Sequence, residues 1–208
     1  MRIFTEKEVT LPECDEQGFS PFIEVSKILD FNSGKIVIIG DNHKESIKNI
    51  AQFSKTFRNC GLIMLDAHPD CKDASDIIPS LVDQDIIDKN NILIAGIRSW
   101  KKQELEYLKN NRIKHYTMRE IAVNGLHETS ETLMTVARTF GALYISIDLD
   151  VLDPAFANTS APEPGGFTTR ELITLIHRLK RLVNFKAADI METQKEDKLA
   201  GKLAIEFY

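Results

Sequence analysis

The stretch Ile145–Pro154 reads ISIDLDVLDP, an apolar run that finishes in aspartates at positions 148, 150 and 153. Side chains of a strand alternate between faces, so Asp148 and Asp150 are predicted on one side while Leu149 and Val151 point into packing. Two carboxylates on one face repel, and burying either costs several kcal/mol unless a cation compensates. No Lys or Arg lies between Asp148 and Arg170 to supply that charge. A metal ion is therefore the first candidate. Asp66, His68 and Asp70, in the run DAHPD, add two carboxylates and an imidazole at alternate positions, and His43, in GDNH, adds a second imidazole. These six residues suit a pair of divalent ions. Oxygen and imidazole donors without thiolates favour Mn²⁺, with iron, cobalt or Zn²⁺ acceptable and Mg²⁺ less comfortable beside two imidazoles. Two such ions can share one water and deprotonate it near neutral pH.

Each cluster also has a plainer reading. DAHPD alone is compatible with a polar turn in which Asp66 caps a helix, and DLD with a capped turn or a one-metal phosphate site. His43 alone reads more readily as a surface or capping histidine, Glu192 as a solvated side chain past a strand, and Asp153–Pro154 as turn chemistry. His115, His127 and His177 lack ligand spacing and read as structural or exposed, and Cys71 as a buried bystander.

What separates the readings is where these residues fall along the chain. Lys35–Ile39 is a short run of β-branched residues, the pattern of a strand buried on both faces, and it leads into His43. Leu62–Leu65 is a second strand and leads into Asp66; Ile92–Ile97 is a third. The organising run at 145 is a fourth, and Ala187–Met191 a fifth that delivers Glu192. Between them lie predicted helices: one carrying Ile47, Ile50 and Ala51; Lys101–Asn110; a helix through Met134–Phe140, closed by Gly141; and one opened by the Thr168/Glu171 capping box, with Leu172, Leu175, Ile176 and Leu179 as its buried stripe. Phe22, Ile23, Val25, Ile28 and Leu29 have roughly helical spacing. Alternating strands and helices predict a parallel sheet covered on both faces, with ligands bound at the carboxyl ends of its strands. His43, Asp66, Asp148, Asp150 and Glu192 all sit at or just past such ends.

Composition narrows the functions. The 208 residues are enough for one α/β domain, expected to span 1–208, and the net charge of -5 with no basic stripe argues against a nucleic-acid partner. No apolar run approaches the ~20 residues of a spanning helix, and MRIFTEKEVT is charged from its first turn, so no membrane partner and a cytoplasmic location are expected. The three cysteines are scattered without a CxxC pair, which points away from a disulfide framework.

The motifs resemble those of the ureohydrolases, the arginases, agmatinases and formiminoglutamases. IGDNH (39–43), DAHPD (66–70), SIDLDVLDPAFA (146–157) with PEPGG after it, AGIRS (95–99) and DIME (189–192) resemble that family's blocks in order. The resemblance implies a three-layer α/β/α sandwich with a mostly parallel central sheet and a centre of two manganese ions held by His43, Asp66, His68, Asp70, Asp148 and Asp150. It implies attack by the activated water on a guanidinium or formimino carbon. Glu192 would hold a small cationic guanidino substrate, and Asp70 would pass a proton to the departing amine, with urea released. It also makes self-association into a homo-oligomer the expectation.

Two departures bear on activity. Asn42 stands where the family has Asp before its histidine, which removes a charge and is expected to loosen His43. Family members carry a further histidine about a dozen residues after DAHxD; here that region is Ile77–Leu81, and no histidine lies between His68 and His115. If Leu81 fills that slot, acid–base assistance worth about 10²–10⁴ in rate is missing. The residues with which arginases grip α-amino-acid groups are not recognisable. Three readings remain open: an agmatinase-like hydrolase of a linear guanidino compound, an arginase or formiminoglutamase, or a metal-binding homologue with weak or no catalysis.

Overall fold

The computed structural model describes residues 2–5, 23–24, 29–32, 34–194 and 198–208. Eight strands make one sheet in the order β2-β1-β3-β8-β7-β4-β5-β6, and every described pairing is parallel. The body of the sheet is β3 (Ile36–Ile39), β8 (Phe185–Met191), β7 (Ala142–Asp148), β4 (Cys60–Leu65), β5 (Ile92–Ile97) and β6 (Lys114–Thr117). Two short strands, β1 (Arg2–Thr5) and β2 (Ile23–Glu24), extend one edge. Their pairing places Ile23 in a strand, not the helix expected from its spacing. Phe22, Val25 and Ile28 lie outside the described residues.

Strand alternation divides the core in two. Ile36, Ile38, Leu62, Met64, Ile92, Ile94 and Tyr144 face α1 (Ser46–Thr56), α2 (Ile77–Asp83) and α3 (Lys102–Asn111), through Ile50, Phe53, Ile77, Leu81 and Leu108. Val37, Ile39, Ile63, Leu65, Ile145 and Ile147 face α4 (Met118–Asn124), α5 (Leu126–Ala137), α6 (Thr169–Leu179) and α7 (Lys198–Ile205), through Ile121, Leu133, Leu172, Leu175 and Leu203. The expected three-layer α/β/α sandwich is the observed architecture. Both faces of the sheet are buried, which is why its strands read as unbroken apolar runs.

The capping box of α6 forms reciprocally: Thr168 Oγ1 accepts from Glu171 N, and Glu171 Oε2 accepts from Thr168 N. Gly141 does not close the preceding helix, which ends four residues earlier at Ala137. A Cβ at Gly141 would lie 2.3 Å from the Arg58 carbonyl oxygen, so the glycine permits two loops to touch. The order β3-β8-β7-β4 decides where a ligand can bind. Chain leaving β3 crosses to β4 and leaves a gap that β7 and β8 fill, and such a switch in winding opens a crevice at the strands' carboxyl ends.

Candidate metal centre

Four neighbouring strands deliver the site. Past β3, Asn42 caps a single 3₁₀ turn, His43–Glu45, by accepting from Lys44 N at 3.0 Å, and this turn carries His43 over the sheet. The expected loosening of His43 is not seen: His43 is 3% exposed, with Nε2 2.9 Å from Ser146 Oγ and its backbone N–H donating to Glu192 Oε1 at 3.3 Å. Past β4, Asp66 Oδ1 accepts from His68 N at 2.6 Å, turning the chain so that both side chains face the crevice.

Asp148 ends β7, and the residues after it coil into a 3₁₀ turn, Leu149–Val151, capped by Asp148 Oδ1 on Asp150 N at 2.8 Å. Asp148 and Asp150 do share a side, as expected. The cause is this turn, not strand alternation, because the strand has already ended. Leu149 and Val151 are fully buried. Asp70 (φ 48°) and Glu192 (φ 60°) both adopt left-handed backbone, which costs a non-glycine residue about 1 kcal/mol or more and persists only where surrounding structure enforces it.

The side chains converge on His43. Its Nδ1 lies 3.1 Å from Asp66 Oδ2, 3.2 Å from Asp70 Oδ2 and 3.1 Å from Asp148 Oδ2. Beside this group, His68 Nδ1 lies 2.8 Å from Asp150 Oδ2 and 3.7 Å from Asp66 Oδ1. Asp66 is common to both groups, one oxygen to each. Asp66, Asp148 and Asp150 are at most 4% exposed, and of the four aspartates only Asp70 opens substantially to solvent.

Crowding of buried carboxylates sets their protonation. Burial, then the charges of Asp70 and Asp150, pushes Asp66 up to about 6. Burial, then the Asp66 charge, holds Asp148 well above the usual carboxylate range. Burial also opposes ionisation of Asp150, but hydrogen bonds from His68 and Ala67 N–H outweigh it and lower its value. The hydrogen bond to Asp150, then that to Asp66, drives His68 up to about 11. Burial disfavours the charged form of His43, yet Asp148, Asp66 and Asp70 together raise it well above the ordinary imidazole value. The raised values of Asp66, Asp148 and both imidazoles mark a surplus of negative charge in the cluster, which a cation would neutralise. His43 Nδ1 and Asp66 Oδ2 are buried without a hydrogen-bond partner although 3.1 Å apart. A cation between them would satisfy both. Ligand atoms of His43, Asp66 and Asp148 lie within 4.8 Å of one another, and so do those of Asp66, His68 and Asp150. The residues present fit two divalent ions that share Asp66.

All seven residues singled out from sequence therefore meet in one crevice, Glu192 entering through its contact with His43. Ser160 Oγ donates to Glu192 Oε2 at 2.7 Å from the loop after β7. Leu81 is a correction. It lies on α2, whose Ile77, Ile78 and Leu81 are fully buried against the sheet, so its side chain faces the core and not the crevice.

Several contributors carried no recognisable ligand pattern. Arg98 donates to the carbonyls of Gly96, Asp150, Val151, Leu152 and Glu163, pinning the turn that holds Asp150. Gly96 allows this approach: at φ 108° a Cβ would sit 2.9 Å from the Asp66 carbonyl. Beneath His43, Ser146, Asp189 and Tyr144 form a buried hydrogen-bonded chain. The sequence signal for Asp189 was a charged residue inside an otherwise apolar strand.

A parallel α/β/α sandwich with two joined carboxylate–imidazole groups at its central strand ends defines the class, an α/β protein with a candidate two-metal centre. A model of the arginase family matches residues 22–199. An agmatinase of Bacillus subtilis is 32% identical over 203 residues, covering 92% of this chain and 67% of that protein. A formimidoylglutamase of Halalkalibacterium halodurans is 27% identical over 199 residues, covering 89% and 62%. The crystal structure of formimidoylglutamase from Bacillus subtilis superposes with a TM-score of 0.81 over 99% of this chain and 83% of that one, at 19% identity, a likeness of fold. The chain belongs to the arginase family, as its motifs indicated. It spans about two thirds of the length of the agmatinases it matches.

Proposed function

We propose that the chain is a two-metal amidinohydrolase of the agmatinase kind, cleaving a guanidino C–N bond to give urea and an amine. The observation that carries the reading is the pair of ligand groups joined through Asp66, with the Glu192 carboxylate alongside. His43, Asp66, Asp70 and Asp148 would hold one ion and Asp66, His68 and Asp150 the other, and their oxygen and nitrogen donors suit Mn²⁺. When bound, the ions supply Lewis acidity and an activated water.

The remaining work belongs to the side chains. Glu192 accepts charge-assisted hydrogen bonds from a guanidinium, orienting its carbon toward the carboxylate cluster. The contacts of Glu192 with His43 N–H and Ser160 Oγ fix that carboxylate, so the substrate cation meets a preorganised partner. Asp70, the solvent-open member of the cluster, takes the proton of the attacking water and passes it to the departing amine. Agmatinases of three Bacillus species are 30–32% identical to this chain, and no arginase-like grip on an α-amino acid is recognisable, which favours a linear guanidino compound without α-groups.

The test is a substrate panel with Mn²⁺-loaded protein: urea from agmatine, guanidinobutyrate and arginine, and formamide from formiminoglutamate. Urea from agmatine in preference to arginine is expected. A second reading, a metal-binding homologue without turnover, is favoured by the sequence between His68 and His115, which holds no histidine to bring a further imidazole to the crevice. Two bound ions with no turnover of any of the four compounds would establish it instead.

A further inference from the structure

Beneath the ligand residues lies a chain of polar groups that neither substrate binding nor proton transfer uses. Asp189 is fully buried in β8, in register with Ser146 of β7. Its Oδ1 accepts a hydrogen bond from Ser146 Oγ at 2.6 Å, and its Oδ2 one from Tyr144 Oη at 2.8 Å. Ser146 Oγ in turn lies 2.9 Å from His43 Nε2. A hydroxyl has a single proton, and a carboxylate can only accept. With its proton given to Asp189, Ser146 can meet His43 only as an acceptor, so the imidazole proton belongs on Nε2. Nδ1, the atom facing Asp66, Asp70 and Asp148, is then left with a free lone pair.

We propose that Asp189, acting through Ser146, is a positioning residue that fixes the tautomer and ring orientation of His43 and so prepares Nδ1 as a metal ligand. The geometry follows from the sheet. Ser146 and Asp148 share a face of β7 two residues apart, so the strand that contributes one ligand also supports another. Carboxylate support of an imidazole ligand through its second nitrogen raises ligand basicity and locks the ring. Here the support runs through an intervening serine. An apolar residue at 189 would be cheaper to bury; the carboxylate adds direction.

The proposal rests on the two-metal reading, and the experiment separates the two. Mn²⁺ affinity is measured by chelator competition for the unaltered chain, Ser146→Ala, Asp189→Asn and Tyr144→Phe. Affinity is expected to fall about 10- to 100-fold in the first two variants. It is expected to stay near the unaltered value in Tyr144→Phe, which leaves the Asp189–Ser146–His43 link intact. In Zn²⁺-loaded protein, ¹⁵N–¹H NMR should show a protected His43 Nε2–H proton that shifts in Asp189→Asn and is lost to exchange in Ser146→Ala. If Asp189→Asn does not fold, Ser146→Ala, which trims one hydroxyl, carries the test. Unchanged affinity in Ser146→Ala, or a His43 proton on Nδ1, overturns the positioning role. Failure of the unaltered chain to bind metal would bring down the two-metal reading, and this role with it.

Discussion

Replacing Asp66 by asparagine is expected to move stability in opposite directions with and without metal. The Asp66 carboxyl is raised from 3.8 to about 6, by burial first and then by Asp70 and Asp150. The folded protein therefore binds that proton more tightly than the unfolded chain. The resulting penalty is absent below about pH 4, grows as pH rises toward 6, and is complete above it. At about 1.36 kcal/mol per tenfold change in proton affinity, the full penalty is about 3 kcal/mol. Asparagine carries no charge and keeps an oxygen for the 2.6 Å bond from His68 N. Metal-free Asp66→Asn at pH 7.5 should therefore be the more stable protein by up to ~3 kcal/mol, or roughly 6–12 °C in Tm for a chain of this size. Mn²⁺ should reverse the order. Each occupied site stabilises the unaltered chain by about 2.7 kcal/mol at a hundredfold excess over Kd, whereas the variant has lost the ligand common to both sites. Calorimetric melts in EDTA and in Mn²⁺, at pH 5 and 7.5, measure all of this. A variant that melts below the unaltered chain in EDTA at pH 7.5, or that keeps the full Mn²⁺ increment, refutes the reasoning.

Other perturbations isolate other parts. Glu192→Gln removes the charge from the substrate's partner and should lower kcat/KM roughly 10- to 150-fold with metal content unchanged by elemental analysis; loss of metal instead would make Glu192 part of the metal site. Leu81→His should destabilise by about 2–5 kcal/mol in urea melts, because it trades a fully buried leucine for an imidazole in the core, and should bring no gain in urea release. Arg98→Lys replaces a guanidinium that reaches five carbonyls with a point charge. It should cost roughly 2–3 kcal/mol and expose the 153–167 loop to limited proteolysis; a loop as resistant as before would show that Arg98 does not pin it.

Legibility in the sequence depends on which physical signals are local. β3, β4, β5, β7 and β8 announced themselves because a strand buried on both faces must be apolar throughout, and ligands at their ends interrupt that run abruptly. β6 did not: KHYT is exposed or half-buried at the sheet's edge, so no burial pattern marks it. α2 was hidden because Pro79 and Ser80 sit inside an apolar segment whose helical stripe spans only two turns. The misplacement of Leu81 came from counting residues after DAHPD, and counting fails where a loop is shortened. Here Asp76 accepts from Lys72 N and Asp73 N and pairs with Lys44, folding that excursion into a compact turn that leads straight into core. Arg98 and Asp189 act through partners 52 to 65 and 43 residues away respectively, distances over which sequence periodicity carries no information.

The same division has a consequence for function. Apart from Asp70, everything that would hold metal sits at or just past the ends of three central strands, β3, β4 and β7, braced below by Ser146 and Asp189 and from the side by Arg98. The substrate side is built from left-handed Asp70, left-handed Glu192 and the Ser160 loop, none of which lies within a strand or helix. Core packing constrains the first set, because moving any ligand shifts a buried strand end or a buried turn. Loop geometry constrains the second far less. Change in the loops can therefore redirect or weaken turnover while metal affinity persists. On the proposed function, metal binding and turnover should therefore separate, and Glu192→Gln against Asp66→Asn is the pair of variants that tests this.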